Sequence, residues 1–215
     1  MSNIGGRCGM VLKLLRSIVL ASRSPQRLKL AIGEGWAVTV MAPPEAVEAN
    51  AAARGKQESL QEYVQRLAQT KAEAVVSMGI TGTILACDTL SEISGLVLGK
   101  PCDRQDARKM LLKLSGKRHR VFTGVCLWQS PQLAPLLGVA ESVLEMAPLT
   151  NEILQWYLAS GLWQGKAGAC GFQDENLPLT LIAGSPSNVV GLPLETVQAL
   201  LTSIDQQLAE NGQQS

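Results

Sequence analysis

Short apolar runs alternate along the chain with segments whose apolar residues recur every three or four positions. The short runs are bounded by turn residues and predict buried strands at residues 17–21, 37–41, 83–86, 96–98 and 121–127. The periodic segments predict helices at residues 28–32, 59–78, 103–114, 150–160 and 194–207. Residues 132–146 are expected to form one or two more strands, broken near Pro135 and Gly138. This alternation predicts an α/β fold.

The helix at 59–78 has the clearest local pattern. Ser59 and Glu62 are spaced as a capping box, in which each side chain satisfies a free backbone N–H of the first turn. Lys71 falls in line with the buried positions of this helix. Its ammonium group is therefore expected either to extend to the edge of the core or to face a cleft.

An acid and a base follow two successive apolar runs. The run 83–86 stops at Asp88, and a carboxylate at the end of a buried strand needs water, a partner or a metal. Lys100 follows the run 96–98 in the same way. The two side chains are predicted to lie at strand ends and to face one cleft, where α/β proteins place their sites.

The turn at residues 22–27 joins the first strand to the first helix. Its small hydroxyl residues, with Pro25, predict a helix N-terminus with free N–H groups, and Arg27 lies in the first turn. An anion would fit there. A capped helix with a solvated arginine fits the same residues equally well.

The composition and charge of the chain argue against several classes of protein. The chain has 215 residues, of which 46% are apolar and 17% are charged, and its formal net charge is +1. These values predict neither general disorder nor binding to a nucleic-acid polymer or a membrane. The five cysteines contain no CxxC pair, which is typical of reduced thiols in the cytoplasm. The one histidine, His119, excludes a two-histidine metal site within the chain and is expected to pair across a strand.

The sequence lacks two common catalytic motifs, the P-loop GxxxxGK[ST] and the nucleophile elbow GxSxG. No segment approaches the length of an apolar membrane span. Residues 1–16 are expected to be a disordered or mis-started extension, with Met10 as an alternative start. Residues 17–210 are expected to form one domain.

Five motifs resemble those of the Maf family of nucleotide pyrophosphatases, also known as septum formation inhibitor Maf-like proteins. They are SRSPQR at 22–27, YVQRLAQTKA at 63–72, the stretch 85–125 with CDT, LGKPCD and SGKRHRVFTGV, KAGACGFQ at 166–173, and GSPSNVVGLP at 184–193. Three positions depart from the family pattern. Gln26 stands in place of an arginine, Val47 in place of an aspartate and Cys170 in place of a tyrosine.

The resemblance implies a mixed, twisted sheet flanked by helices, similar to inosine-triphosphate pyrophosphatases, with a cleft between two lobes. It implies hydrolysis of a nucleoside triphosphate to the monophosphate and pyrophosphate, with dTTP, UTP or related standard and modified nucleotides as substrates. A divalent cation, Mg²⁺ or Mn²⁺, is the implied cofactor, and a homodimer is compatible with the family. Two alternatives are a catalytically weak nucleotide-binding regulator of cell division and a pyrophosphatase for 7-methyl-GTP.

The site residues follow by matching motif positions. Asp88, Lys71 and Lys100 are the implied catalytic residues, and Glu48 and Asp88 are the implied metal ligands, with Glu45 as an alternative to Glu48. The implied substrate-binding residues are Ser24, Arg27, Thr89, Lys166 and Gln173. Asp88 either positions or deprotonates the attacking water, directly or through the metal. The residues leave open which carboxylate is base and which is ligand.

Overall fold

The computed structural model describes residues 15–49 and 53–212, and for Glu48 and Ala49 it describes the backbone alone. Most of the predicted 1–16 extension, residues 1–14, therefore lies outside the described residues. None of the helices in the described ranges has both the length and the apolar character that crossing a membrane requires.

In the described ranges, seven strands form one sheet. They are β1 (Ser17–Leu20), β2 (Ala37–Val40), β3 (Gly82–Ile93), β4 (Leu96–Leu98), β5 (Lys117–Ser130), β6 (Leu136–Met146) and β7 (Leu179–Ala183). The strand order is β2-β1-β3-β5-β6-β7, and β4 pairs with β3. Strand β1 is parallel to β2 and β3, whereas the remaining pairs are antiparallel. The predicted mixed sheet of an α/β fold is confirmed.

Seven α-helices of the described part of the chain flank the sheet. They are α1 (Pro25–Gly33), α2 (Glu45–Ala49), α3 (Leu60–Ser77), α4 (Arg104–Leu114), α5 (Asn151–Ser160), α6 (Pro186–Val190) and α7 (Leu194–Gly212). Local capping explains where several of them begin. Ser59 forms the predicted capping box with Glu62, and Asp103 and Thr150 accept hydrogen bonds from first-turn N–H groups. The predicted helices at 59–78, 103–114 and 150–160 are thereby confirmed.

Among the described residues, the core consists of three apolar clusters on the two faces of the sheet. Along β3, successive side chains point to opposite faces, so Ile84 and Ala86 pack beneath α3 while Leu85 and Cys87 pack on the other face with α7. Ile93 shares the face of Leu85 and belongs to a separate cluster with α4 and α5. A gap therefore separates two packed regions on one face of the sheet.

Helix α3 lies unusually close to β5 at Gly124. A Cβ atom added to Gly124 would lie 2.1 Å from the Val64 carbonyl oxygen and 2.2 Å from the Val64 carbonyl carbon. Gly124 is also the residue directly opposite Asp88 in the β3–β5 ladder. The missing side chain thus lets α3 approach the sheet where Asp88 stands.

Several expected boundaries were wrong. Asp88 does not end a strand, because β3 continues from Gly82 to Ile93. Gly138 does not break a strand, because it lies inside β6 and pairs with Val125. The segment after β2, for which the sequence pattern predicts no element, contains the short helix α2. In each case pairing or packing with distant parts of the chain decides the local structure.

Candidate active site

A cleft of about 530 Å³ lies over the gap between the two packed regions. Its floor runs across the sheet from β3 to β7. One wall is the turn 22–27 with the end of α6, and the other is the loop 164–174 with Lys100. The floor residues are Thr89, Ser91, His119, Val121, Leu144 and Leu179.

The cleft also reaches around an open edge of β3. Strand β1 follows β3 only as far as Leu85, where the Ala21 N–H donates to the Leu85 carbonyl, and β4 begins pairing at Ser91. Between these points, β3 pairs only with β5 among the described strands, so its other edge is open. The edge brings Asp88 into the cleft although Asp88 lies in mid-strand, and open edges at such crossovers are where α/β proteins place ligands.

Lys71 and Asp88 form a close ion pair at this edge. The Lys71 Nζ donates to Asp88 Oδ1 at 2.5 Å, and the side chains are only 8% and 16% exposed. Within the described ranges, Asp88 Oδ2 accepts no hydrogen bond. Of the two outcomes expected for Lys71, the structure shows the one in which its ammonium group faces a cleft. This arrangement leaves one carboxylate oxygen available to a ligand or a proton.

Arg27 is held in a fixed orientation beside this pair. Its Nε donates to the Gly191 carbonyl at 2.7 Å, and its Nη2 donates to Thr89 Oγ1 at 2.9 Å. Its Nη1 lies 3.3 Å from Ser22 Oγ. Gly191 has φ +101°, and a Cβ there would lie 2.8 Å from Thr89 Oγ1 and 3.1 Å from Arg27 Nε. The glycine thus leaves room for the guanidinium group.

Ser24 has the capping role that the sequence left open. Its Oγ accepts from the backbone N–H of Arg27, so it is the N-cap of α1. Ser24 and Gln26 both line the cleft, and the Ser24 hydroxyl lies 3.2 Å from Gln26 Oε1. The N-terminus of α1 therefore opens onto the same space as Lys71 and Asp88.

The loop 164–174 is fixed by Asp174, a residue that the sequence did not single out. Lys166 Nζ lies 2.6 Å from both carboxylate oxygens of Asp174, and the Tyr157 hydroxyl donates to Oδ2 at 2.6 Å. The Gly171 N–H donates to the same oxygen at 3.0 Å. Burial and the neighbouring Asp174 raise the pKa of Tyr157, so it stays a donor. Gln173, the residue before Asp174, also lines the cleft.

The predicted metal ligands are only partly described. The Glu48 side chain lies outside the described residues, although α2 carries its backbone. The alternative, Glu45, is exposed and pairs with Arg23 at 2.6 Å. In the described ranges, no group of three or more histidine, cysteine, aspartate or glutamate side chains could hold a metal ion. Of the two predicted metal ligands, Asp88 is therefore the one whose side chain is described, and it lines the cleft.

His119 and Ser91 are buried polar residues of the cleft floor. His119 is 2% exposed and Ser91 is 1% exposed. In the described structure, neither ring nitrogen of His119 has a hydrogen-bond partner. The Ser91 hydroxyl has none there either. Burial lowers the pKa of His119. The nearby Lys117 backbone raises it by a smaller amount, although its distance and angle to the ring do not make a hydrogen bond. His119 pairs across a strand as expected, through its backbone opposite Leu144, but its ring makes no hydrogen bond within the described residues.

Comparison with known proteins identifies the family. The model of the Maf-like protein family matches residues 17–204. The chain belongs to the Maf-like family. A dTTP/UTP pyrophosphatase of Rhodopirellula baltica is 42% identical over 191 residues, covering 88% of this chain and 83% of that protein. A dTTP/UTP pyrophosphatase of Symbiobacterium thermophilum is 39% identical over 202 residues, covering 92% of this chain and 99% of that protein.

Among solved structures, the Ham1 protein of Staphylococcus aureus is similar at 19% identity and a TM-score of 0.39. The likeness covers 61% of this chain and 72% of that one.

The cleft of this Maf-like protein is lined by eight of the predicted site residues, whereas the alternative metal ligand Glu45 does not line it. The eight are Ser24, Arg27, Lys71, Asp88, Thr89, Lys100, Lys166 and Gln173. Sequence reasoning missed Ser91 and Asp174 and gave His119 no part in the site. Asp174 is adjacent to a matched motif and could have been considered as a partner for Lys166. The sequence has no comparable signal for Ser91.

Proposed function

We propose that this protein is a nucleoside triphosphate pyrophosphatase that converts NTP and water to NMP and pyrophosphate, with dTTP and UTP as substrates. The observation that carries this proposal is the Lys71–Asp88 pair at the open edge of β3, surrounded by further cations in one cleft. The relatives named dTTP/UTP pyrophosphatase support the choice of nucleotides. The single domain over 17–210 and a cytoplasmic location are part of the same proposal.

The cations of the cleft match the charge of a triphosphate. Arg27 on α1, Lys71 on α3 and Lys100 in the loop after β4 all line the cleft, so they can contact separate phosphate oxygens. Arg27 is already oriented by Gly191 and Thr89, which reduces the cost of ordering it when the ligand binds. As the α–β bridging bond breaks, negative charge builds on the leaving pyrophosphate. Fixed cations stabilise that charge.

Asp88 is the residue that we assign to the attacking water. Its Oδ1 is held by Lys71, while Oδ2 can accept a hydrogen bond from water. The water oxygen attacks the α-phosphorus, its proton passes to Asp88, and the bond from the α-phosphorus to the bridging oxygen breaks. The products are NMP and pyrophosphate.

Asp88 provides one described carboxylate that suits a divalent cation. Mg²⁺ is commonly held by one or two carboxylates together with substrate phosphates and waters, and Asp88 offers one carboxylate in a cleft suited to phosphates. We propose Asp88 and Glu48 as the holding residues, with Mg²⁺ or Mn²⁺ as the ion. When bound, the ion would neutralise phosphate charge and polarise the reacting phosphate.

The test is pyrophosphate release from a panel of nucleoside triphosphates in H₂¹⁸O with Mg²⁺ or Mn²⁺. We expect dTTP and UTP to give labelled NMP and unlabelled pyrophosphate, because attack is at the α-phosphorus. Label in pyrophosphate would contradict the site of attack. Strong preference for 7-methyl-GTP would contradict the substrate, and binding without turnover would favour a nucleotide-binding regulator.

A further inference from the structure

The two ends of the cleft differ in chemistry. At the open edge of β3 the lining carries Arg27, Lys71 and Lys100 with Asp88. Further along the floor, over β5 to β7, the lining is apolar and includes Val121, Leu144 and Leu179. A ligand that fills the whole cleft therefore has an anionic end and an end with little net charge.

His119 is a polar group in this apolar end. It lies two residues before Val121 on β5, which places both side chains on the same face of the sheet, and its backbone is opposite Leu144. Its ring is buried and lines the cleft, but neither nitrogen has a partner in the described structure. A buried polar group without a partner costs free energy, so in a native protein it is usually satisfied by a ligand, an ion or a bound water.

Ser91 is a second group of the same kind. Its hydroxyl is buried, unpaired within the described residues, and part of the same cleft lining. Ser91 lies opposite Val121 in the β3–β5 ladder. It is three residues beyond Asp88, or about 10 Å along the strand at about 3.4 Å per residue. The two unpaired groups are therefore displaced from the phosphate end.

The chemistry of these groups matches a pyrimidine base. Because burial lowers its pKa, the imidazole of His119 is neutral at neutral pH and carries one N–H donor and one nitrogen acceptor. The Ser91 hydroxyl can donate and accept. Uracil and thymine present an N–H group between two carbonyl oxygens. The donors of His119 and Ser91 can pair with these carbonyl oxygens, and their acceptors can pair with the N–H group.

We propose that His119, together with Ser91, hydrogen bonds the base of the bound nucleotide and contributes to the choice of base. The proposal rests on the nucleotide hydrolysis proposed above. His119 acts on binding and not on the reacting phosphate. Its contribution is therefore expected in KM more than in kcat.

The first test uses the fact that the chain has one histidine. Protein labelled with ¹⁵N-histidine and free of a histidine tag gives one imidazole spin system. We expect uridine 5′-monophosphate to shift the imidazole ¹⁵N signals, whereas ribose 5-phosphate, which lacks the base, leaves them in place. Calorimetry on the same samples reports binding independently. Bound uridine 5′-monophosphate with unchanged imidazole signals would overturn the proposal, as would its failure to bind.

The second test compares His119→Leu with His119→Gln. We expect His119→Leu to lower kcat/KM for UTP on the order of tenfold, the value of about one hydrogen bond, mainly through KM. The conservative His119→Gln should retain most of the activity. Ribose 5-triphosphate, the substrate without a base, should be hydrolysed by His119→Leu at the rate of the native protein. Equal losses on both substrates, or no loss on UTP, would overturn the proposal.

Two controls separate the possible failures. His119→Leu removes an unpaired buried group, so its melting temperature should equal or exceed that of the native protein; a large decrease would indicate a structural role instead. Turnover and the imidazole signal are measured separately. An imidazole shift without any turnover would contradict the pyrophosphatase alone, and turnover without a shift would contradict the base contact alone.

Discussion

Gly124→Ala tests whether the close approach of α3 to β5 builds the site. The added Cβ would lie 2.1 Å from the Val64 carbonyl oxygen, whereas ordinary contact begins at 3.4 Å. The helix or strand must therefore move by about 3.4 − 2.1 = 1.3 Å. The atoms in the way belong to the backbone of Val64 and Gln65, so no side-chain rotation can relieve the clash.

Both stability and activity should fall. Overpacking of this kind costs about 3 kcal/mol, which lowers the melting temperature by roughly 6–12 °C for a domain of this size. Helix α3 carries Lys71, and a displacement of about 1 Å at a catalytic group can cost roughly a hundredfold in rate. We therefore expect pyrophosphate release from UTP to fall by about that factor at a temperature where the variant remains folded.

Gly138→Ala is the matched control, because Gly138 also lies in a strand that faces a helix. Its added Cβ would meet side-chain atoms of Thr196 and Leu200, which can move, and it lies away from the cleft. We expect a cost of about 1 kcal/mol and normal activity. Native stability and native turnover in Gly124→Ala, measured by calorimetry and pyrophosphate release, would refute the reasoning.

Three further predictions follow from buried and paired groups. Asp174→Asn should raise KM for UTP several-fold with a small change in kcat, because Lys166 loses its carboxylate partner and the loop 164–174 loosens. Burial raises the pKa of Cys126 to about 12, so at pH 8 a thiol reagent should modify the exposed Cys102 and spare Cys126 until the protein unfolds. The pKa of His119 is lower in the folded chain than in the unfolded chain. At acidic pH the unfolded chain therefore binds a proton at His119 more readily than the folded chain does. The free energy of unfolding should therefore decrease as pH falls below about 6.5, and His119→Leu should weaken that dependence.

Each of these has a clear contrary result. A native KM in Asp174→Asn, from steady-state kinetics, would show that the ion pair does not hold the loop for binding. Modification of Cys126 at the rate of Cys102, followed by mass spectrometry, would show that the thiol is not buried. Identical pH dependence in His119→Leu and native protein, from denaturant unfolding between pH 7 and 5, would show that the imidazole does not titrate on unfolding.

The sequence predicted those parts of the fold that local interactions determine. Capping by Ser59, Asp103 and Thr150 depends on residues within one turn of the helix, and these helices form as expected. The continuation of β3 through Asp88 depends instead on pairing with β5, some 36 residues further along the chain at Gly124. A local apolar run could not show that the strand continues.

The candidate site divides in the same way. The motifs named Lys71, Asp88 and Arg27, and the fold brings them to one cleft. Their arrangement could not be predicted, because it depends on an open strand edge between β1 and β4 and on a glycine beneath α3. The unpaired ring of His119 could not be predicted either, since a strand pattern gives the face of a side chain but not its hydrogen-bond partners.

The most direct measurement of the central claim compares native protein with Asp88→Asn in pyrophosphate release from dTTP and UTP, with Mg²⁺ or Mn²⁺ and with the metal chelated. Asparagine keeps the shape and can still accept from Lys71, but it cannot take a proton from water. We predict metal-dependent turnover by the native protein and a loss of about 10²- to 10⁴-fold in the variant, with its melting temperature recorded as a check on folding. Native turnover in Asp88→Asn, or none in either protein, would contradict the account.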